Sequence, residues 1–326
     1  MIFVCGLNNN NQLSKDSNSN DYYCEPAINP PCPFDVDISS LLSISFHGRH
    51  TVWATKDRRA YAIGDNQKYL ISGSMPKKIF KTKREITFKN KKGQQCQFIS
   101  AVCGWFYTLC QVTSTNDLTH SDLAFSYEDK ETIFLNINGR EPVSMFGGKY
   151  ASAVIDTEGG IIVITESVFK SPNKPIESIF LPNCEKAVSI SCLKEVIFAL
   201  SSTGRVFKSP IKGQINFEEV DELNGIEITD ISGSCDHCLA ISKEGNVYAY
   251  GDNFCGQLGI GEGKGSTTKF EIIKSLNKYK ITSVSAGVQF SLFLTSEGKV
   301  LACGTNSSGQ LALSCGPCGE NKYLPE

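Results

Sequence analysis

The feature that most constrains the fold of this chain is an internal repeat. Residues 44–66 read ISFHGRHTVWATKDRRAYAIGDN, residues 231–253 read ISGSCDHCLAISKEGNVYAYGDN, and residues 284–306 read VSAGVQFSLFLTSEGKVLACGTN. Each stretch has three β-rich runs that are separated by two turns and end in Gly-x-Asn. Because alternating or fully apolar runs with glycine turns between them are typical of strands, the sequence predicts an all-β chain.

Weaker copies of the same pattern occupy residues 101–112, 145–164 and 191–207. The position that starts the second run, called here the aligned position, is held in the six copies by His50, Tyr107, Ala151, Val196, His237 and Phe290. A period of about 40–55 residues made of short strands indicates a propeller or solenoid, with one small antiparallel sheet per repeat. Glycines eight residues after four aligned positions are predicted to supply positive φ in hairpins: Gly159, Gly204, Gly245 and Gly298.

Composition excludes several classes of protein. The chain has 326 residues, 40% of them hydrophobic, and a net charge of −2, which disfavours disorder and a general polyanion-binding surface. It contains no apolar run of about 18 residues or more, so no membrane span is expected. The apolar start Met1–Val4 is too short for a secretory signal. We therefore expect an intracellular protein, cytoplasmic or nuclear, whose 14 cysteines are mostly small buried hydrophobes.

The most specific motif is GDNFCGQLG at residues 251–259, which recurs as GTNSSGQL at 304–311. Weaker forms are GDNQKYL at 64–70 and GLNNNNQL at 6–13. Together with the upstream turns, these strings resemble the repeat of the regulator of chromosome condensation family, and the resemblance covers essentially the whole chain. The departures, which include central repeats without Gly-x-Asn and His47, Leu193 and Ser234 in place of a turn glycine, indicate a diverged member.

The resemblance implies a seven-bladed β-propeller that forms one domain over residues 1–326. The expected repeats are a partial one near 1–40, followed by six complete ones at 41–96, 97–141, 142–186, 187–225, 226–279 and 280–326. Because the N-terminal segment resembles the second half of a repeat, the missing first half is expected from the C-terminus. Either the seventh blade is half-built or the chain is a fragment.

Residues capable of chemistry are predicted to be structural. His50 and His237 hold the aligned position, where packing and hydrogen bonding at a blade turn are expected rather than catalysis. The Cys235/Cys238 and Cys315/Cys318 pairs lie too far apart, and at opposite ends of the expected sheet, to share a zinc ion. No nucleophile–base pair or phosphate-cradling loop is apparent. We expect a non-enzymatic protein without metal, cofactor or small-molecule substrate.

The resemblance also implies a binding surface, because in the family's exchange factor the side chains just before the aligned position contact a small GTPase. The matching residues are Arg49, Phe106, Tyr150, Glu195, Asp236 and Gln289. Only Asp236, which directly precedes His237, keeps the family's pattern of acidic and histidine side chains, whereas Trp105, Phe106 and Tyr150 form an aromatic rim that suits a protein interface. Ordinary packing of the turns is the alternative interpretation.

A basic segment lengthens the connection between the first two complete repeats. Its cations are Lys77, Lys78, Lys81, Lys83, Arg84, Lys89, Lys91 and Lys92. One interpretation is a solvated edge hairpin that its lysines protect from further strand pairing, and the other is a patch for an acidic partner, nucleic acid or anionic lipid. The polar and acidic stretch 113–131 is expected to be a loop that replaces an eroded turn.

These observations favour a rigid interaction module that binds a protein partner through the first-turn loops of one propeller face. The first alternative is a guanine nucleotide exchange factor for a Ran-like small GTPase. The second is binding of chromatin, nucleic acid or an anionic surface through the basic segment, a local patch that the near-neutral net charge does not exclude.

Overall fold

The computed structural model describes residues 6–7, 22–23, 38–47, 50–66, 71, 79–90, 92–105, 107–114, 117–127, 132–165, 167–168, 171, 173–307, 309–311 and 321–325. These residues form strands and short 3-10 helices, so the all-β prediction is confirmed. Within them, no helix has the length and hydropathy to cross a membrane. The N-terminal string at 6–13 and the Cys315/Cys318 pair lie largely or wholly outside the described residues.

Most of the chain belongs to two compact units, of which the first spans Ala27–Thr157 and Ile161–Ser178. Its strands are β3 Leu41–His47, β4 His50–Thr55, β5 Ala60–Asp65, β6 Ile79–Ile86, β7 Cys96–Cys103, β8 Tyr107–Ser114, β9 Asp117–Tyr127, β10 Ile133–Leu135, β11 Pro142–Phe146, β12 Ala151–Asp156 and β13 Ile161–Thr165. They form three antiparallel sheets in the orders β3-β4-β5-β6, β7-β8-β9-β10 and β11-β12-β13. A 3-10 helix at Ile38–Ser40 precedes the first sheet, and the two-residue strand β1 Gly6–Leu7, which belongs to the same unit, lies further upstream.

The second unit includes the two-residue strand β2 Tyr22–Tyr23 and spans Glu158–Gly160 and Ile179–Glu326. Its strands are β14 Ala187–Cys192, β15 Val196–Ser201, β16 Val206–Pro210, β17 Glu218–Glu219, β18 Ile228–Ser234, β19 His237–Ser242, β20 Val247–Gly251, β21 Thr267–Ile272, β22 Ile281–Ala286, β23 Phe290–Thr295 and β24 Val300–Gly304. They form the sheets β14-β15-β16-β17, β18-β19-β20-β21 and β22-β23-β24. The 3-10 helices lie at Pro182–Cys184, Asp221–Leu223 and Lys274–Leu276.

The six sheets recur at the spacing of the repeats. The first strand of each sheet begins no more than two residues from the predicted start of its repeat. In the first five sheets the second strand is the most buried, and every residue of β4, β12 and β19 is buried. Such a strand is paired on both edges within its sheet, and neighbouring sheets cover its faces. This environment explains why the second runs of the sequence are nearly continuously apolar.

The hydrophobic cores lie between neighbouring sheets of each unit. In the first unit, side chains such as Val52 and Phe98 pack between the first two sheets, and Leu109 and Ile162 pack between the second and third. In the second unit, Phe198 and Ala240 belong to one such core, and Leu239 and Phe293 belong to the next. A small sheet that buries both faces against neighbours is the stacking that the repeat predicted.

The predicted hairpin glycines have the expected conformation. Gly159, Gly204, Gly245 and Gly298 have φ between 81° and 89°, and the equivalent Arg58 has φ of 61°. The prediction that 113–131 forms a loop is wrong, because β9 extends over Asp117–Tyr127 and pairs with β8 along most of its length. The polar start of this stretch hid a buried second half, Leu123–Ser126.

Candidate functional site

The turn between the first and second strands of each sheet, called here the first turn, is held by the residue at the aligned position. His50 Nε2 lies 2.9 Å from Thr108 Oγ1, and His237 Nε2 lies 2.9 Å from Ser291 Oγ. Each hydroxyl belongs to the residue after the aligned position of the next repeat. Both histidines are fully buried, so the prediction that they pack and form hydrogen bonds at a blade turn is confirmed.

The hydrogen bonds around His237 determine which ring nitrogen carries the proton. Ser291 Oγ donates its only proton to the carbonyl of Gln257 at 2.6 Å. It must therefore accept a hydrogen bond from His237 Nε2–H, which leaves Nδ1 as the unprotonated nitrogen. Burial lowers the pKa of His237 from 6.5 to about 4, although the Asp252 carboxylate and the Phe290 backbone oppose the shift. A neutral, fully buried imidazole joins two repeats and has no access to a substrate.

The Gly-x-Asn loop after the third strand lies beside the first turn of the same sheet. Asn66, Asn253 and Asn306 each accept a hydrogen bond on Oδ1 from the amide five residues later, at 2.9–3.1 Å. These asparagine side chains are buried, so the amide is a structural part of the loop. The Gly-x-Asn motif therefore encodes a loop whose shape is fixed by a hydrogen bond from its own backbone to the asparagine side chain.

The glycine of this loop permits close contact with the first turn. Gly251 has φ of 108°, and a Cβ there would lie 2.2 Å from the carbonyl oxygen of Asp236. That carbonyl accepts a hydrogen bond from the amide of Asp252 at 2.9 Å, and the carbonyl of Gln289 accepts one from Thr305 at the same distance. The two loops therefore form one rigid surface at this end of the sheet.

In the first unit, the hydroxyl of Tyr107 forms hydrogen bonds with the first turn of the following sheet, residues 147–150. Its hydroxyl accepts hydrogen bonds from the amide of Gly148 at 3.1 Å and from Ser152 Oγ at 2.5 Å. It can donate its own proton to the carbonyl of Gly148 at 2.9 Å or of Ala151 at 3.1 Å. A single buried phenol thus anchors both ends of the turn.

Lys149 and Tyr150, which this turn carries, meet Trp105 of the preceding first turn. Lys149 Nζ lies 4.7 Å from the centroid of the Trp105 ring and 5.2 Å from that of Tyr150. Tyr150 is 45% exposed, whereas Lys149 and Trp105 are half-buried. We call these three residues the Lys149 cluster. The structure brings the predicted Trp105 and Tyr150 together through a lysine that sequence reasoning missed.

In the second unit, the predicted residues Asp236 and Gln289 lie on separate first turns, Asp236 half-buried and Gln289 exposed. The loop that is bonded to the Asp236 carbonyl carries an aromatic side chain that the sequence interpretation did not single out, Phe254, which is 83% exposed. Its amide lies 3.3 Å from Asp252 Oδ1, which also accepts a hydrogen bond from Ser266 at 2.7 Å. The signal in the sequence was a lone phenylalanine in an otherwise polar loop.

The rest of the Phe254 loop is packed against a later segment. A Cβ on Gly256 would lie 2.7 Å from the carbonyl oxygen of Lys322, and a Cβ on Gly259 would lie 3.1 Å from Pro325. Lys322 also exchanges two backbone hydrogen bonds with Gly304, at 2.7 and 2.8 Å. Phe254 is therefore an exposed apolar side chain on a loop that is fixed on both sides.

Other predicted site residues lie apart from these clusters or outside the described residues. Arg49, Phe106, Lys77, Lys78 and Lys91 are not described, and nothing is described of the Lys81 side chain. Lys83 and Arg84 lie on β6, the outermost strand of its sheet, with their cationic groups 5.8 Å from the Tyr61 ring and 5.9 Å from the Phe80 ring. Lys89 and Lys92 are exposed at a turn that the side chain of Asn90 organises. The basic segment stays a predicted partner site.

Among the described residues, no group of three or more His, Cys, Asp or Glu side chains could hold a metal ion. The described pair Cys235/Cys238 is buried, and burial raises the pKa of Cys238 to about 12. A buried thiol of this kind is unreactive at neutral pH.

Comparison with known proteins agrees with this arrangement. Residues 228–257 and 281–310 match one profile of the regulator of chromosome condensation (RCC1) repeat, and residues 244–294 match a second. The chain is also similar to the solved structure of Prp20p from Saccharomyces cerevisiae, with a TM-score of 0.74 and 14% identity, over 99% of this chain and 84% of that one. At that identity the likeness shows the fold alone. The fold is a β-propeller of small antiparallel sheets.

Two curated relatives share part of the sequence. The chain is 36% identical over 137 residues to the probable E3 ubiquitin-protein ligase HERC6 of Homo sapiens, which is 38% of this chain and 13% of that protein. It is 36% identical over 90 residues to the secretion-regulating guanine nucleotide exchange factor of Mus musculus, 28% of this chain and 19% of that protein. The matches thus span less than a fifth of either relative. Residues 228–310 therefore carry repeats of the RCC1 type, and the chain as a whole is similar to Prp20p in fold.

Proposed function

We propose that the chain is a non-enzymatic protein-interaction module that binds a protein partner through the first-turn loops of one propeller face. The Lys149 cluster carries the proposal, because it brings together two partly exposed aromatic rings from adjacent first turns, one of which Tyr107 anchors. Aromatic side chains held in place before binding lose little conformational entropy and dominate binding energy at interfaces. The exposed Phe254 on its fixed loop supports the same use of first-turn loops in the second unit.

An affinity pull-down from a cell extract, analysed by mass spectrometry, tests this proposal. The wild-type chain is expected to retain a stable partner that the Trp105→Ala/Tyr150→Ala variant loses. Val300→Ala is the matched control, because Val300 is 60% exposed and begins a third strand, at the end of its sheet away from the first turn. Equal thermal stability of the three proteins excludes a folding defect. Retention of the partner by the double variant would contradict the proposal.

A second candidate function is guanine nucleotide exchange on a Ran-like small GTPase. It is favoured by the similarity to the secretion-regulating exchange factor and by Asp236, whose first turn is fixed against the Asp252 loop. The test is the release of labelled GDP from Ran and a panel of small GTPases. Asp236→Ala is expected to abolish acceleration, whereas Glu297→Ala, an exposed carboxylate on a second turn, leaves it unchanged. No acceleration across the panel would eliminate this candidate.

A further inference from the structure

The ammonium group of Lys149 is held between two aromatic rings. Nζ lies 4.7 Å from the Trp105 ring centroid and 5.2 Å from that of Tyr150, both within the range of cation–π attraction. Among the residues that the structure describes, Lys149 forms no ion pair. The rings contact the cation without neutralising it. The cluster therefore presents a positive charge within an aromatic surface.

The backbone that carries this cluster is fixed before any partner arrives. Tyr107 anchors the turn of Lys149 through Gly148, Ala151 and Ser152. A Cβ on Gly104 would lie 1.9 Å from the Tyr107 ring, and a Cβ on Gly147 would lie 2.1 Å from the carbonyl oxygen of Cys103. Gly104 thus leaves room for the Tyr107 ring beneath its own turn, and Gly147 lets the next first turn approach the end of β7 closely. A lysine held in this way loses less rotamer entropy on binding than a free surface lysine does.

A comparison within the chain shows that the arrangement is specific to Lys149. Lys194 also lies two residues before an aligned position, on the first turn between β14 and β15. It is exposed, and among the described residues its ammonium group contacts no aromatic ring. The same residue type at the same position of the repeat therefore occurs with and without the aromatic pair. Lys194 provides a matched control.

We propose that the Lys149 cluster binds a carboxylate side chain within an acidic segment of the partner protein, an inference that rests on the proposed function above. A carboxylate accepts a charge-assisted hydrogen bond from the Lys149 ammonium group. The Trp105 and Tyr150 rings flank this contact and exclude water from two sides, which strengthens the attraction. The rings also provide apolar contact for residues next to the acid. The charge of the cluster selects against a basic segment.

The experiment measures binding of a short fluorescein-labelled peptide of alternating Glu and Ser by fluorescence anisotropy. A peptide of alternating Gln and Ser has the same shape without the charge. The wild-type chain is expected to bind the Glu peptide, with an affinity that falls as salt rises, and to bind the Gln peptide at least tenfold more weakly. Lys149→Ala is expected to weaken binding of the Glu peptide about tenfold. Lys149→Arg is expected to keep most of the affinity, and Lys194→Ala to keep all of it.

Three results would overturn the inference: no binding of the Glu peptide, equal binding of the Gln peptide, or equal effects of Lys149→Ala and Lys194→Ala. The partner pull-down separates this failure from that of the proposed function. A partner that is lost with Trp105→Ala/Tyr150→Ala but kept with Lys149→Ala leaves the interaction module standing and refutes the acidic segment. A partner kept by both variants refutes both. Thermal melts confirm that each variant is folded.

Discussion

Protonation of the buried His237 is predicted to make the fold sensitive to mild acid. The side chain is fully buried, and its Nε2–H donates to Ser291, which in turn holds the carbonyl of Gln257. Burial lowers the pKa of His237 to about 4 in the folded protein, against 6.5 for an exposed histidine. The unfolded chain binds this proton more readily than the folded protein does. The contribution of neutral His237 to the free energy of unfolding is therefore full above pH 6.5 and is lost as the pH falls towards 4.

The magnitude follows from the difference between the two pKa values. A lowering from 6.5 to about 4 corresponds to roughly 3 kcal/mol over the whole window, at about 1.4 kcal/mol per pH unit. Between pH 7 and pH 5, where most carboxylates stay ionised, the loss from His237 alone is about 2 kcal/mol. A change of this size is a large fraction of the stability of a typical domain.

Urea unfolding followed by circular dichroism at pH 7, 6 and 5 measures this loss. His237→Gln is the informative variant, because a glutamine amide can still donate to Ser291 but does not titrate. The variant is expected to be less stable than the wild-type chain at pH 7, because the substitution removes the packing of the imidazole ring. From pH 7 to pH 5 its free energy of unfolding should fall by about 2 kcal/mol less than that of the wild-type chain. His120→Gln, at a side chain that is 77% exposed, controls for the substitution itself. Equal pH dependence in wild type and His237→Gln would refute the reasoning.

Three further predictions test the fold and the remaining predicted site. Gly251→Ala is expected to destabilise the chain by about 2 kcal/mol more than Gly261→Ala, because both have positive φ but only Gly251 faces a carbonyl oxygen at 2.2 Å; equal urea midpoints would contradict this. Tyr107→Phe should cost about 1–3 kcal/mol by leaving the amide of Gly148 unpaired, whereas a neutral effect on thermal melts would show that the hydroxyl does not anchor the turn. If the basic segment binds nucleic acid, a Lys83→Gln/Arg84→Gln variant should show weaker, less salt-dependent DNA binding; unchanged binding isotherms would exclude a role for these two cations.

The sequence predicted the second strands and turns of the repeats well because their signals are local. A middle strand reads as a continuous apolar run, as in Val52–Ala54, and a hairpin glycine such as Gly245 follows at a constant distance. The structural role of His237 was also predictable, since different residue types at the aligned position argued against catalysis. The stretch at β9 was misjudged because its polar first half outweighed its buried second half.

The Lys149 cluster illustrates what local patterns miss. Trp105 and Lys149 are 44 residues apart, and their rings and ammonium group meet only because two sheets of the first unit pack side by side. In the Phe254 loop, similarly, residues 322–325 pack against Gly256 and Gly259, while Phe254 itself is exposed. In both places the sequence indicated a turn but not which side chain the turn presents.

By itself, the sequence determined the repeat, the strand class and the backbone conformation of the turns, because a side chain's apolarity and a glycine's freedom act on near neighbours along the chain. Tertiary structure decided which first-turn residues form a surface, since exposure and contact depend on side chains brought together from different repeats. The histidines show the division most clearly. Their position follows from the repeat, whereas the depressed pKa of His237 arises from burial against Ser291 of the next sheet.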